Sequence, residues 1–277
     1  MRSTPRNDLL DPLGRTVGRA SGLALGVALC MAATTGHAMT PVPCEPSARA
    51  DSATVAPSDS LSLRQQALVP IAAFGAAGDI PRLSAALDQG LDAGLTLNEA
   101  KEVLVQLYAY AGFPRSLNAL GELMKVVDDR KQRGLQDAQG RPPCRAIPQG
   151  DALLAAGTAN QTRLVGSPVK GALFEFAPAA DAYLKTHLFG DIFERDNLDW
   201  PSRELATLGM LAALPGAESQ LQSHMAMSMN VGLTAAQLQQ LTHVLAERVD
   251  ADAAARARGA LERQLARSAS GTGSAPR

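Results

Sequence analysis

Residues 93–104 read Ala-Gly-Leu-Thr-Leu-Asn-Glu-Ala-Lys-Glu-Val-Leu, and residues 231–241 read Val-Gly-Leu-Thr-Ala-Ala-Gln-Leu-Gln-Gln-Leu. The two glycines, Gly94 and Gly232, are 138 positions apart (232 less 94). Each stretch ends one helical pattern with Gly, follows it with Thr, and places Glu or Gln three residues after the Thr. Thr96 with Glu99 and Thr234 with Gln237 are capping boxes, in which two orphan N–H groups at a helix start are satisfied reciprocally. The glycine takes the left-handed conformation that closes the helix before. Each copy is therefore a helix–turn–helix joint, and the recurrence predicts a duplicated, all-α fold of helical hairpins. At the same offset, His224 stands where the first copy has Ala86. Polar chemistry in one copy alone predicts that the second copy carries the site.

Working outward, residues 61–133 hold a first helical repeat. Pro81 suits the first turn of a helix, and Gly112-Phe113-Pro114 stops one helix and starts the next. Residues 134–170 contain Pro142, Pro143, Pro148, Gly150, Gly157 and Gly166, and read as a long irregular linker. Residues 171–250 hold the second repeat, with Asp199 as an N-cap, Pro201 in the first turn and a stop at Pro215-Gly216. Residues 251–277 read as a helix end and a disordered tail rich in Ser, Gly, Thr and Ala.

The ends of the chain have their own logic. Arg2, Arg6, Arg15 and Arg19 precede a short apolar run over 21–33, and Gly36-His37-Ala38 offers small residues for cleavage. Residues 1–38 thus read as an export signal, with a linker over 39–60, and the mature chain is expected in the periplasm or outside the cell. The apolar run is too short to span a bilayer comfortably, so no stable membrane anchor is expected after cleavage. Of three cysteines, Cys30 leaves with the signal. The remaining pair, Cys44 and Cys144, are expected to bridge in an oxidising compartment.

The formal charge of −1 and the absence of a basic stripe with interleaved aromatics give no reason to expect nucleic acid as a partner. No Cys-x-x-Cys, His-Glu-x-x-His, phosphate-cradling glycine loop or nucleophile elbow is present, so neither a metal nor a cofactor is expected. What remains is a hairpin. Two helices joined at Pro215-Gly216 run antiparallel, and folding about that turn brings Glu204 within side-chain reach of His224. A carboxylate beside an imidazole fixes its tautomer, which suits a general acid or base. Arg203 is placed to hold an anionic small-molecule substrate. A second reading is a non-catalytic binding protein whose pocket is lined by Tyr108, Tyr110, Trp200 and the methionines 225, 227 and 229. Buried His–Glu pairs also occur as plain core contacts.

The stretch from His187 through Gly190-Asp191 to Trp200-Pro201-Ser202-Arg203-Glu204, followed by His224 and Asn230-Val231-Gly232-Leu233-Thr234, resembles the carboxymuconolactone decarboxylase family, which includes the alkylhydroperoxidase D-like proteins. Tyr110-Ala111-Gly112-Phe113-Pro114 is similar to the family segment after its central helix. The resemblance covers roughly residues 61–130 and 171–250. It implies an all-helical fold with sites at helix hairpins and a homo-oligomer, usually a trimer or hexamer. In the peroxidase branch a Glu, a Cys-x-x-Cys pair and a His act together. Here Glu204 and His224 match, but the thiol positions are Ala217 and Gln220. The resemblance therefore points away from dithiol peroxidase chemistry and toward a cofactor-free lyase or isomerase of a small unsaturated carboxylic acid or lactone. His224 would act as acid or base, Glu204 would orient it, and Arg203 would offset negative charge. The first repeat, with Ala86 and Gln65 or Gln66 at the matching positions, reads as a scaffold copy.

Overall fold

The computed structural model describes residues 59–271, and every regular element among them is helical. The first repeat comprises α1 (Leu63–Ala77), α2 (Ile80–Asp92), α3 (Leu97–Gln106), the single turn α4 (Tyr108–Ala111) and α5 (Phe113–Gln132). The second comprises α9 (Trp200–Ala212), α10 (Glu218–Asn230), α11 (Ala235–Arg248) and α12 (Ala251–Gly271). Between them lie α6 (Asp151–Val165), α7 (Ala172–Phe176), α8 (Pro178–Tyr183) and a π-helix over Leu184–Ile192. The starts of α2 and α10, of α3 and α11, and of α5 and α12 all keep the offset read from the two glycines.

Local chemistry explains why the repeats begin and end where they do. Thr96 Oγ1 accepts from Glu99 N–H at 3.3 Å, and Glu99 Oε2 accepts from Thr96 N–H at 3.0 Å. Thr234 and Gln237 repeat the arrangement at 3.2 and 2.9 Å. Gly94 and Gly232 sit at φ 90° and 102°, where a side chain would be strained. Asp199 caps α9 by accepting from Ser202 N–H at 2.8 Å.

The repeats share their cores through their lead helices. Leu68, Ile71, Leu83, Leu87, Leu104 and Leu107 fill one core, and Leu205, Leu208, Leu221, Met225, Leu241 and Leu245 fill the other. Val69 and Ala73 of α1 point into the second core, while Ala206 and Met210 of α9 point into the first. The two helices approach backbone to backbone at Gly209, where a Cβ would lie only 2.7 Å from the carbonyl oxygen of Val69. The small residue is thus a condition of the contact between repeats.

Two readings of the sequence need correction. The stretch 134–170 is not irregular throughout, because α6 occupies 15 residues of it. Its glycines misled: Gly157 is a packing contact, not a breaker. A Cβ there would run into the carbonyl of Lys185 in the π-helix, and Leu153 fills the space beside Gly190 from the other side. α6 is further tied by Asn160, which donates to Phe189 O at 2.8 Å, and by Asn230 of α10, which donates to Leu164 O at 2.8 Å. Likewise, α12 is a full helix of 21 residues rather than a fraying end. It buries an alanine face, Ala253, Ala254, Ala257 and Ala260, with Leu261. Alanine contributes little to a hydrophobic pattern read by eye, yet it allows close helix packing. The segment 171–198, assigned to the second repeat, precedes its first helix.

The expected export signal, the linker up to residue 58, Cys30, Cys44 and the tail beyond 271 lie outside the described residues. Cys144 is disulfide-bonded. Its N–H donates to Asp196 Oδ1 at 2.7 Å, which fastens the irregular segment before α6 to the loop before α9. No helix among the described residues is long and apolar enough to cross a membrane.

Gly157→Ala is expected to cost about 1–3 kcal/mol, the usual range for overpacking a tight contact. Hydrogen exchange should rise over α6 and the π-helix while α1 and α9 stay protected. Uniform protection with an unchanged melting temperature would show that the crossing tolerates a methyl group.

Candidate active site

The hairpin of α9 and α10 brings the expected pair together. His224 Nδ1 and Glu204 Oε2 are 2.8 Å apart, and both side chains are buried. A carboxylate only accepts, so Nδ1 carries the proton and Nε2 is left as the basic nitrogen. Nε2 makes no hydrogen bond among the described residues, and the ring lines a cavity of about 590 Å³. Tyr110 closes the same corner, its ring edge-on to His224 with centroids 5.6 Å apart. Its phenolic oxygen is buried beside the Thr207 hydroxyl. Burial, and then the nearby Glu204 carboxylate, push the phenol far above its ordinary pKa. Tyr110 therefore stays neutral beside the pair.

The cavity has walls of different character. Leu184, Leu188 and Phe189 of the π-helix, Val165 of α6 and Met227 of α10 make an apolar side. Ser219, Gln220, Gln222 and Ser223 of α10, with Gln264 and Arg267 of α12, make a polar side. π-Helical turns are rare and are frequent at functional sites. Here the wider turn carries three of the apolar wall residues.

Three of the expected substrate-binding residues are elsewhere. Arg203 is fully buried and faces away from the cavity, into the first repeat. Its Nη2 donates to Glu102 Oε1 at 2.9 Å and to Arg195 O at 2.7 Å, and its Nη1 donates to Gln106 Oε1 at 3.1 Å. Glu102 also receives Arg195 Nε at 2.8 Å and Asn197 Nδ2 at 3.0 Å. Burial alone would raise the Glu102 carboxyl, but Arg195, Arg203 and Asn197 outweigh it and hold it below the ordinary range. Burial depresses the Arg203 guanidinium, and Glu102 works against that depression. Consecutive residues on a helix point about 100° apart. Glu204 and Arg203 accordingly serve different neighbours, and the adjacency that suggested a joint role is the reason they have none.

Trp200 lies against Phe193, with its Nε1 donating to Phe193 O at 3.3 Å and the Arg163 guanidinium 4.4 Å above its ring. Tyr108 stacks on Phe113 at 4.4 Å. Neither lines the cavity. Among the methionines, Met225 is core and only Met227 reaches the cavity wall. In the first repeat the matching positions hold Ala86, buried in the core, and Gln66, whose Nε2 is spent on Leu61 O at 2.8 Å. No group of three or more His, Cys, Asp or Glu capable of holding a metal occurs among the described residues.

The model of the carboxymuconolactone decarboxylase family matches residues 47–124 and 178–263, which together make more than half of the chain. The chain belongs to that family. The two matches in this carboxymuconolactone decarboxylase family member fall on the two repeats, in agreement with the duplication read from the glycine–threonine joints. α6 falls between the matches, and Gln264 and Arg267 lie just after the second. A comparison with curated proteins finds no match to the chain.

The sequence reading missed Gln222, Gln161, Gln264 and Arg267 at the cavity and Glu102 beneath it. Gln264 and Arg267 were recoverable, since α5, the last helix of the first repeat, demanded a counterpart at the same offset in the second. Glu102 and Arg203, far apart in the chain, carried no signal that either would seek the other.

Proposed function

We propose that this protein is a cofactor-free lyase or isomerase of a small carboxylated molecule, an unsaturated acid or lactone, with His224 as the general acid or base. The observation that carries this reading is the 2.8 Å contact between His224 Nδ1 and buried Glu204, which leaves Nε2 free on the wall of a cavity. Loss of carbon dioxide or migration of a double bond leaves an electron pair delocalised over a conjugated system. Nε2 first takes up a proton, from the substrate carbon in an isomerisation or from solvent before a decarboxylation, and then delivers it to the carbon end, which returns the ring to its starting form. Glu204 keeps the ring oriented and steadies the imidazolium when it forms. Arg203 takes no part, being committed to Glu102. Dithiol peroxide reduction, the other chemistry associated with the family, has no thiols at Ala217 and Gln220 to work with. The test is a turnover screen of unsaturated acids and lactones, following carbon dioxide release and the ultraviolet absorbance of the conjugated system, with hydroperoxides as the contrasting panel. Hydroperoxide reduction surviving Cys44→Ser and Cys144→Ser would sink this reading.

The working form we propose is an exported homo-oligomer. Export rests on the reading of residues 1–38. Assembly is supported by α5, where Phe113, Leu117 and Met124 follow one helix face and are 60%, 62% and 69% exposed. Light scattering is expected to give a multiple of the chain mass, and Leu117→Glu to reduce it; a monomer in both would remove the assembly from the proposal.

A further inference from the structure

The amide of Gln222 is oriented by its neighbour and left half unused. Arg263 Nε donates to Gln222 Oε1 at 2.7 Å. Arginine has no acceptor, so the atom facing it must be the amide oxygen, and the opposite atom must be the NH2 group. That Nε2 is buried with no hydrogen-bond partner, on a side chain only 9% exposed. Gln222 lines the cavity two residues before His224, about 200° around α10 from it, and with Arg267 it also borders an adjoining groove that holds Arg263 and Glu218. A buried donor without an acceptor is costly, and a ligand oxygen placed there would recover that cost.

The charges around the cavity say which oxygen. Its lining holds one permanent cation, Arg267, and no Asp or Glu. Arg267 makes no ion pair among the described residues and stands on the same flank as Gln222 and Gln264. The far side is apolar, formed by Val165, Val169, Phe174, Leu184, Leu188 and Phe189. Gln161, 3% exposed, lines this end without a hydrogen bond of its own and offers a neutral amide only. A carboxylate is matched on the α12 flank, whereas a second one at the other end would be desolvated with no cation to meet it.

We propose that the α12 flank of this cavity, through Gln222 Nε2 and Arg267, takes the carboxylate of a monocarboxylic acid whose apolar body lies against α6 and the π-helix. This deepens the acid–base reading by naming its substrate class, and rests on it only for the chemistry that follows binding. The apolar wall comes from α6 and the π-helix, and α6 lies outside the two family matches. Ligand choice in this chain is therefore set largely by the segment between the repeats.

Calorimetric titration of the full-length protein with octanoate, octanamide and octanedioate tests this. Octanoate is expected to bind at least about tenfold more tightly than either of the others, in proportion to a charge-assisted hydrogen bond. Gln222→Met, which keeps the side-chain volume, and Arg267→Gln, on an exposed turn of α12, should each weaken octanoate about tenfold, and Arg267→Gln should leave octanamide, which has no charge, unchanged. Equal binding of all three, insensitivity of octanoate to both variants, or no binding by any of them would overturn the proposal. Titrating His224→Gln in parallel separates the two readings. Octanoate should bind it like wild type, so a chain that binds monoacids and turns over nothing would retain this site and lose the acid–base function.

Discussion

Glu102→Gln is expected to lower the free energy of unfolding by about 3–5 kcal/mol, the range for breaking a buried ion pair from one side. The carboxylate accepts from Arg195, Asn197 and Arg203, and Arg203 is wholly buried. A neutral amide leaves that guanidinium without a counter-charge where water cannot reach it. The loss also depends on pH. A carboxyl held below its unfolded-state pKa contributes stability that is complete above the ordinary value and disappears as pH falls through the folded value. Wild-type protein should therefore lose stability on acidification below about pH 4, and Glu102→Gln should lose less over the same interval. Urea unfolding at pH 7 and across the acid range measures both effects. A variant within about 0.5 kcal/mol of wild type at pH 7, the scale of ordinary surface changes, would mean that the network is solvated and contributes little. Pairing Glu102→Leu with Arg203→Met removes both charges, and should recover stability relative to Glu102→Gln.

His224→Gln is expected to lower turnover by about 10²–10⁴-fold on any substrate found in the screen, which is the usual contribution of a positioned acid or base. Glutamine is the informative replacement because its amide still donates to Glu204 Oε2. Alanine would strand a carboxylate whose other oxygen, Oε1, already lacks a partner. The melting temperature should therefore stay within a few degrees of wild type, so that lost activity is not lost folding. Full turnover by His224→Gln would remove the imidazole from the chemistry. Loss of activity together with a collapse in melting temperature would instead show a core histidine, whose contact with Glu204 holds the hairpin and nothing more.

The frame of the molecule was written locally, and this is why it could be read. Capping boxes and a glycine at a helix end involve residues three or four apart, and Thr96, Thr234, Gly94 and Gly232 behave as their spacing predicts. The approach of Glu204 to His224 was legible for a related reason, since a tight turn at Pro215-Gly216 fixes which residues of two antiparallel helices meet. The direction of Arg203 was not, because one position along α9 turns a side chain by about 100° and only the surrounding helices decide what it meets. Trp200 and Tyr108 read in sequence as aromatic pocket walls, but their rings are taken by Phe193 and Phe113. α6 was concealed because a glycine needed for close approach looks, in sequence, like a glycine that interrupts. α12 was shortened because an alanine face shows no obvious stripe.

Arg203 and Glu204 are neighbours on one helix, one gripped by Glu102 of the first repeat, the other in contact with His224 of the second. Rotation of α9 about its own axis would release both at once. The Glu102 contact thus opposes a rotation of α9 that would part Glu204 from His224. Separating the halves should therefore loosen the Glu204–His224 contact, and it would also remove Tyr110, which the first repeat supplies to the cavity.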